Sequence, residues 1–465
     1  MRKLILACAC CLTLVSGLAA WGAAPALASR DQLTFFDAST DLLNASTRAH
    51  TFAQLQSLGV NALRIVLYWQ NVAPDPNSAT MPKFDATNPA SYSWGGYDPV
   101  IQEAHKLGWT IMLDVSGPVP QWATASGKGH LTRPDDAEFE QFMEAVGKHY
   151  GAMVQLWSIW NEPNQPQFLL PQFVDGVPAS PIIYRGLWEF GYKGLEAAGL
   201  KNPKVLIGET SPAGDPHVVA PLTFLRGMLC LSSRYRMSST CARLPAYGYA
   251  HHAYFIAAGP YYVPRQSNDV MLGSIKRLVT ALNRAAQAGA IRASMPIYLT
   301  EFGVQSTPNP YAVNLATQAR FDAVSERIAY YNSRIAAFGQ YLMRDDSCIA
   351  TAAANSCTGF QTGLETDSGK AKPLYNGFRL PLAVIEEGSR YSLWGHVRPT
   401  TRATTVTVLV ERKGSHRYTR LATVHTNSLG YWTLFSSVKA TSWRVKWVSP
   451  AHVTYEGPPI AASTT

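Results

Sequence analysis

The chain is poor in charge and in cysteine for its size. Of 465 residues, 15% are Asp, Glu, Lys or Arg, against 47% hydrophobic, and there are 7 cysteines. Such a composition buries a large core and excludes a disordered chain. No Lys/Arg run and no nucleic-acid-binding motif is present. The net charge of +9 therefore marks a mildly basic protein, not a nucleic-acid binder. Beyond the first 28 residues, no apolar run is long enough to span a bilayer. No His-Cys cluster has zinc-ligand spacing, so no metal site is expected. No Gly-rich phosphate loop follows the first strand-like run, which disfavours an open doubly wound sheet.

Residues 1–28 read as a secretory signal. Arg2 and Lys3 supply the positive end, Leu4 to Ala20 the apolar run, and Ala26-Leu27-Ala28 the small-residue cleavage site. A retained membrane anchor is the competing reading. Loss of Arg2 and Lys3 takes the charge from +9 to +7. Three cysteines, Cys8, Cys10 and Cys11, leave with the signal. Cys230, Cys241, Cys348 and Cys357 remain, in two locally spaced pairs. We expect disulfides Cys230–Cys241 and Cys348–Cys357, a choice among three connectivities that rests on proximity alone. The expectation is a secreted, extracellular monomer with no membrane association after signal removal.

Strand-like and helical runs then alternate. Strands are expected at 33–37, 61–67, 110–115, 154–161, 204–208, 246–251, 296–300 and 336–342, with helical patterns between them. Within 135–150, Phe139, Phe142, Met143, Val146 and Tyr150 recur at helical spacing, and Asp135 or Asp136 can cap that helix. Eight strand–helix repeats over 31–380 predict a (β/α)8 TIM barrel, an α/β fold. Near Pro381 the helical period stops. Short alternating runs from Tyr391 to Val448 predict a small all-β sandwich over 381–465, packed directly on the barrel. Its aromatics Tyr391, Trp394, Tyr431, Trp432, Trp443 and Trp447 suit either a polysaccharide-binding face or a core. Alternating Trp in strands favours the core, and with it a structural role.

Two strand ends carry carboxylates. Leu156-Trp157-Ser158-Ile159-Trp160 is an apolar run that stops at Asn161-Glu162-Pro163-Asn164. Pro163 cannot continue a central strand, so Glu162 falls at its carboxyl end. Ile297-Tyr298-Leu299-Thr300 stops in the same way at Glu301-Phe302-Gly303. Two such glutamates can face each other across a barrel mouth, the pairing that glycosidic cleavage needs. Glu209, in Gly208-Glu209-Thr210, is a third strand-end carboxylate and reads as subsite-lining or structural. Arg64 lies inside the apolar run Leu63–Leu67, where a charge is costly unless paired.

These motifs resemble the clan A glycoside hydrolases, in particular the cellulase-like family 5 and family 39 enzymes, over residues 31–380. The resemblance implies a retaining β-glycoside hydrolase with no cofactor and a carbohydrate substrate. It places the acid/base on Glu162 after strand four and the nucleophile on Glu301 after strand seven. It sets Arg64 beneath the nucleophile, keeping it ionised, and Asn161 at the substrate's 2-hydroxyl. His252 and Tyr254, in His251-His252-Ala253-Tyr254, match a clan His-x-Tyr pattern, although either His could face the cleft. Trp69 and Trp122 are candidates for sugar-stacking platforms or for ordinary packing. Strand eight departs from the clan: it has no Trp, and Tyr341 stands nearest to that role. A non-hydrolytic carbohydrate-binding barrel and a transglycosylase are the alternatives. The sugar, its linkage and endo or exo action are not legible.

Overall fold

A computed structural model describes residues 32–309, 312–347, 359–400 and 402–464. The signal at 1–28 and the Cys348–Cys357 pair lie outside the described residues. Eight parallel strands form the first unit: β1 Leu33–Asp37, β2 Ala62–Tyr68, β3 Thr110–Ser116, β4 Leu156–Ile159, β5 Leu206–Thr210, β6 Gly248–His252, β7 Ile297–Glu301 and β8 Ile335–Tyr341. Each pairs with its sequence neighbour, and β1 pairs with β8. Between β4 and β5 a single bridge, Trp157 to Val205, closes the circle. Each expected strand is present, with ends shifted by two residues at most.

The barrel interior follows from the two-residue period of a strand. Phe35, Ala62, Met112, Leu156, Leu206, Ala250, Tyr298 and Ala337, one from each strand, meet in a single buried cluster. This apolar plug fills the lower barrel, as side chains fill any barrel of eight strands. The outward strand residues pack on the helices. Helix Asp136–Tyr150 buries Phe139, Phe142, Met143, Val146 and Tyr150, and Asp135 caps it by accepting from Ala137 and Glu138 N–H. It lies against helix Ser180–Ala197, whose Gly191 and Gly194 allow the close approach.

Seven strands make the second unit. β9 Leu382–Glu387, β10 Arg390–His396 and β13 Tyr431–Ser436 form one antiparallel sheet. β11 Thr405–Glu411, β12 Tyr418–His425, β14 Ser442–Val448 and β15 Thr454–Glu456 form the other. Leu382, Val384, Leu393, Trp432, Trp443, Val445 and Trp447 fill the space between the sheets. The alternate residues of β9 and β10, Ala383, Ile385 and Trp394, face the other way and pack on Ala323 and Val324 of the barrel helix Leu315–Tyr330. Arg398 bonds Glu326 of that helix, and both side chains are buried. All four tryptophans are buried and offer no face to a glycan: Trp432, Trp443 and Trp447 lie between the sheets, and Trp394 lies against the barrel.

Cys230 and Cys241 are joined, with Cα atoms 6.3 Å apart. No helix among the described residues is long and apolar enough to cross a membrane.

Candidate active site

Two residues beyond the plug, the inward positions become polar. Asp37 follows Phe35, Arg64 follows Ala62, Asp114 follows Met112, Ser158 follows Leu156, His252 follows Ala250 and Thr300 follows Tyr298. On β5 the register slips between Gly208 and Thr210, and this irregularity turns Glu209 inward. The result is a buried polar layer with a rim of Asn161, Glu162 and Glu301 above it.

Arg64 is the hub of that layer. One Nη atom bonds Asp37 at 2.9 Å and Glu301 at 3.2 Å. The other bonds Asp114 at 2.8 Å, Glu209 at 3.1 Å and the Asn161 amide oxygen at 2.7 Å. Burial opposes the guanidinium charge, but Glu209, Asp114, Glu301 and Asp37 outweigh it. An Arg in an apolar strand is thus paired four times over. Burial, reinforced by the Glu209 charge, pushes Asp114 up to about 8.

His252 stands between three carboxylates. Its Nδ1 lies 2.8 Å from Glu162 Oε1 and 3.5 Å from Glu301 Oε2, and its Nε2 lies 2.8 Å from Glu209 Oε2. Burial opposes its charge, yet the Glu301 charge and the hydrogen bonds to Glu162 and Glu209 push it up to about 10. That direction favours the charged ring, whose two N–H groups would face Glu162 and Glu209. His251 is different: burial lowers it to about 4, and its ring bonds Thr210 and the Val270 carbonyl. Of the two histidines, His252 therefore contacts the glutamates, and His251 is a satisfied core residue.

Glu301 caps β7 and is almost fully buried, whereas Glu162 is partly exposed. Tyr254 donates its hydroxyl to Glu301 Oε1 at 2.7 Å. Burial raises Glu301 above its ordinary 4.5, against the opposing charges of His252 and Arg64. Arg64 thus acts on Glu301 with the expected sign but does not bring it below the usual range. The reason is burial, to which the neighbouring Glu162 and Asp37 charges add. Glu162 has φ 40 and Glu209 φ 47, left-handed values that L residues adopt at a cost of about 1–2 kcal/mol each. Their backbones are tied: the Glu162 N–H donates to the Glu209 carbonyl at 3.0 Å.

A pocket of about 240 Å³ opens over these groups, lined by Asp37, Arg64, Asn161, Glu162, Glu301 and Tyr341 among others. Tyr341 does lie at this mouth, with its ring against Phe360. Trp69 and Trp122 do not line it. Trp69 stacks on Phe142 and meets Trp122 edge-on in a buried cluster, so both are core residues and not sugar platforms. A second hollow, lined by Gln32, Asn61, His396 and Arg398, lies between the opposite barrel rim and the sandwich, and contains no carboxylate. Among the described residues, no group of three His, Cys, Asp or Glu side chains is arranged to hold a metal ion.

Sequence reasoning missed Asp37 and Asp114 around Arg64, and it marked Glu209 as a strand-end carboxylate without its tie to Arg64 and His252. The signal was available: each is a charge in or at the end of an apolar strand, the feature that marked Arg64.

Residues 27–168 match the family model for cellulase, glycosyl hydrolase family 5. That segment holds Arg64, Asn161 and Glu162 but not Glu301. Among solved structures, the family 39 enzyme of Xanthomonas axonopodis pv. citri is similar, with a TM-score of 0.52 and 14% identity over 93% of this chain and 96% of that one. A monomeric β-xylosidase of Caulobacter crescentus CB15 has a TM-score of 0.52 and 14% identity over 94% of this chain and 95% of that one. The chain spans 46% of β-glucuronidase 2 of Bacteroides uniformis, at 12% identity and a TM-score of 0.48. At these identities the likeness to solved structures is one of fold. No curated protein matches the chain. The match to the family 5 cellulase model thus covers residues 27–168, a segment that ends just past β4 of a barrel similar in fold to the family 39 enzymes.

Proposed function

We propose that the protein is a secreted β-glycoside hydrolase that retains anomeric configuration. The observation that carries this reading is one ring nitrogen shared by two glutamates from distant strands. His252 Nδ1 lies 2.8 Å from Glu162 and 3.5 Å from Glu301. These lengths laid end to end hold the nearest carboxylate oxygens within 6.3 Å of each other. Retention calls for carboxyl groups ~5–5.5 Å apart, and inversion for ~6.5–9.5 Å. In this mechanism Glu301 attacks the anomeric carbon as its bond to the leaving oxygen breaks, and Glu162 gives that oxygen a proton. Water then attacks the same carbon, Glu162 takes the water's proton, and Glu301 is released. The Tyr254 hydroxyl, 2.7 Å from Glu301, leaves the attacking oxygen in one orientation. The Asn161 amide oxygen is held by Arg64, which leaves its NH2 for a sugar hydroxyl.

The signal-like residues 1–28 and the Cys230–Cys241 pair support export. The sugar is best found by a panel of aryl β-glycosides and glycans. Hydrolysis of at least one, abolished in Glu301→Ala, is the expected outcome. The Glu162→Gln variant keeps most of its rate on substrates whose leaving group needs no proton and loses it on the others. Equal losses on both kinds of substrate would remove Glu162 from the acid role.

A further inference from the structure

We propose that Glu209 is a positioning residue for this reaction: buried behind Glu162, it holds His252 as a doubly donating imidazolium aimed at the acid/base carboxylate. The inference rests on the hydrolase reading above and names a residue that reading does not need. Every described partner of the Glu209 carboxylate can donate to it. Ser158 donates to Oε1 at 2.8 Å; Thr300 at 2.9 Å, Arg64 at 3.1 Å and His252 Nε2 at 2.8 Å converge on Oε2. The Arg64 guanidinium can only donate, and its charge beside Oε2 favours the ionised form of Glu209. Its value falls to about 2 because Arg64 and the His252 hydrogen bond outweigh burial.

The anion fixes the ring. His252 Nε2 must donate to Glu209, which leaves Nδ1 to face Glu162 Oε1 at 2.8 Å. With Nδ1–H on Oε1, Oε2 is the Glu162 oxygen free to carry a proton toward the leaving group. When the glycosidic C–O bond breaks, that proton moves from Oε2 to the departing oxygen and Glu301 bonds the anomeric carbon. The carboxylate left on Glu162 then faces a cation already in place. Preorganised charge of this kind favours the charge-separated transition state. The charged and titratable groups around His252 are Glu162 on the β4 side, Glu209 from β5, and Glu301 from β7. Arg64 from β2 shares Glu209 Oε2, Asp114 from β3 and His251 lie in the same layer, and Tyr254 bonds Glu301.

The test compares wild type with Glu209→Gln in the full chain. A cation beside a carboxylate favours its ionised form, so loss of the cation moves the alkaline limb of kcat/KM upward by about one pH unit. We expect kcat/KM to fall at least tenfold further for glycosides with poor leaving groups than for activated ones. Equal losses on both, with the pH profile unmoved, would make Glu209 merely structural and overturn the proposal. Independently of turnover, nitrogen NMR of wild-type His252, assigned by its loss in His252→Asn, should show both ring nitrogens protonated at pH 7. A neutral His252 in wild type overturns the proposal even where Glu209→Gln fails to fold. Wild type that cleaves no glycoside while His252 is charged would sink the hydrolase reading and leave the charge on His252 established.

Discussion

Arg64 shows how a residue becomes legible and how much of its setting does not. A guanidinium in an apolar strand must have a partner. Sequence supplies the demand, and Glu301 met it. It does not supply the count, because Asp37, Asp114 and Glu209 reach Arg64 only after four strands curl round it. That count matters for reactivity. Burial, with the charges of Glu162 and of Asp37 beside Arg64, outweighs Arg64 and His252 at Glu301, whose folded value lies above 4.5. The nucleophile must be ionised, and a raised acid ionises at higher pH. Activity should therefore be lost as pH falls through a value above 4.5. A kcat/KM profile checks this: an acid limb below that value would show Arg64 and His252 overcoming burial. Trp69 and Trp122 teach the opposite lesson. Trp at a strand end looks the same in sequence whether it stacks on a sugar or, as here, on Phe142 and its neighbours.

At the scale of elements, the barrel strands were legible because each is a short apolar run closed by a turn or a polar stop. The slip between Gly208 and Thr210 was not, since a bulge changes register without changing composition. It is nevertheless what turns Glu209 toward His252. In the sandwich, β9 escaped notice because Leu382-Ala383-Val384-Ile385 is buried on both faces and shows no alternation. β15 has only three residues. The helix pair behind β4 makes a direct prediction. A Cβ on Gly194 would sit 2.3 Å from the Glu140 carbonyl, a backbone atom that cannot swing aside. Gly194→Ala should destabilise the chain by about 1–3 kcal/mol in urea unfolding, despite alanine's better helix propensity. No loss would mean the two helices have room to separate.

The whole molecule is a barrel whose sandwich is fastened at its side and lower rim, away from the glutamates. Trp394 and Tyr431 pack against Tyr330, and Arg398 bonds Glu326, so the second unit covers a barrel helix. The pocket stays open at the other rim, where β4 and β7 end. Closure of the eight strands is what brings Glu162 and Glu301, 139 residues apart in the numbering, around one His252 nitrogen. Whether they share one anomeric centre is read most directly by trapping. A 2-deoxy-2-fluoro aryl glycoside of whichever sugar the enzyme accepts should stall the first displacement, leaving one glycosyl group per chain. Peptide mass mapping should place it on Glu301. An adduct on Glu162, on any other residue, or rapid turnover with no adduct would contradict the account.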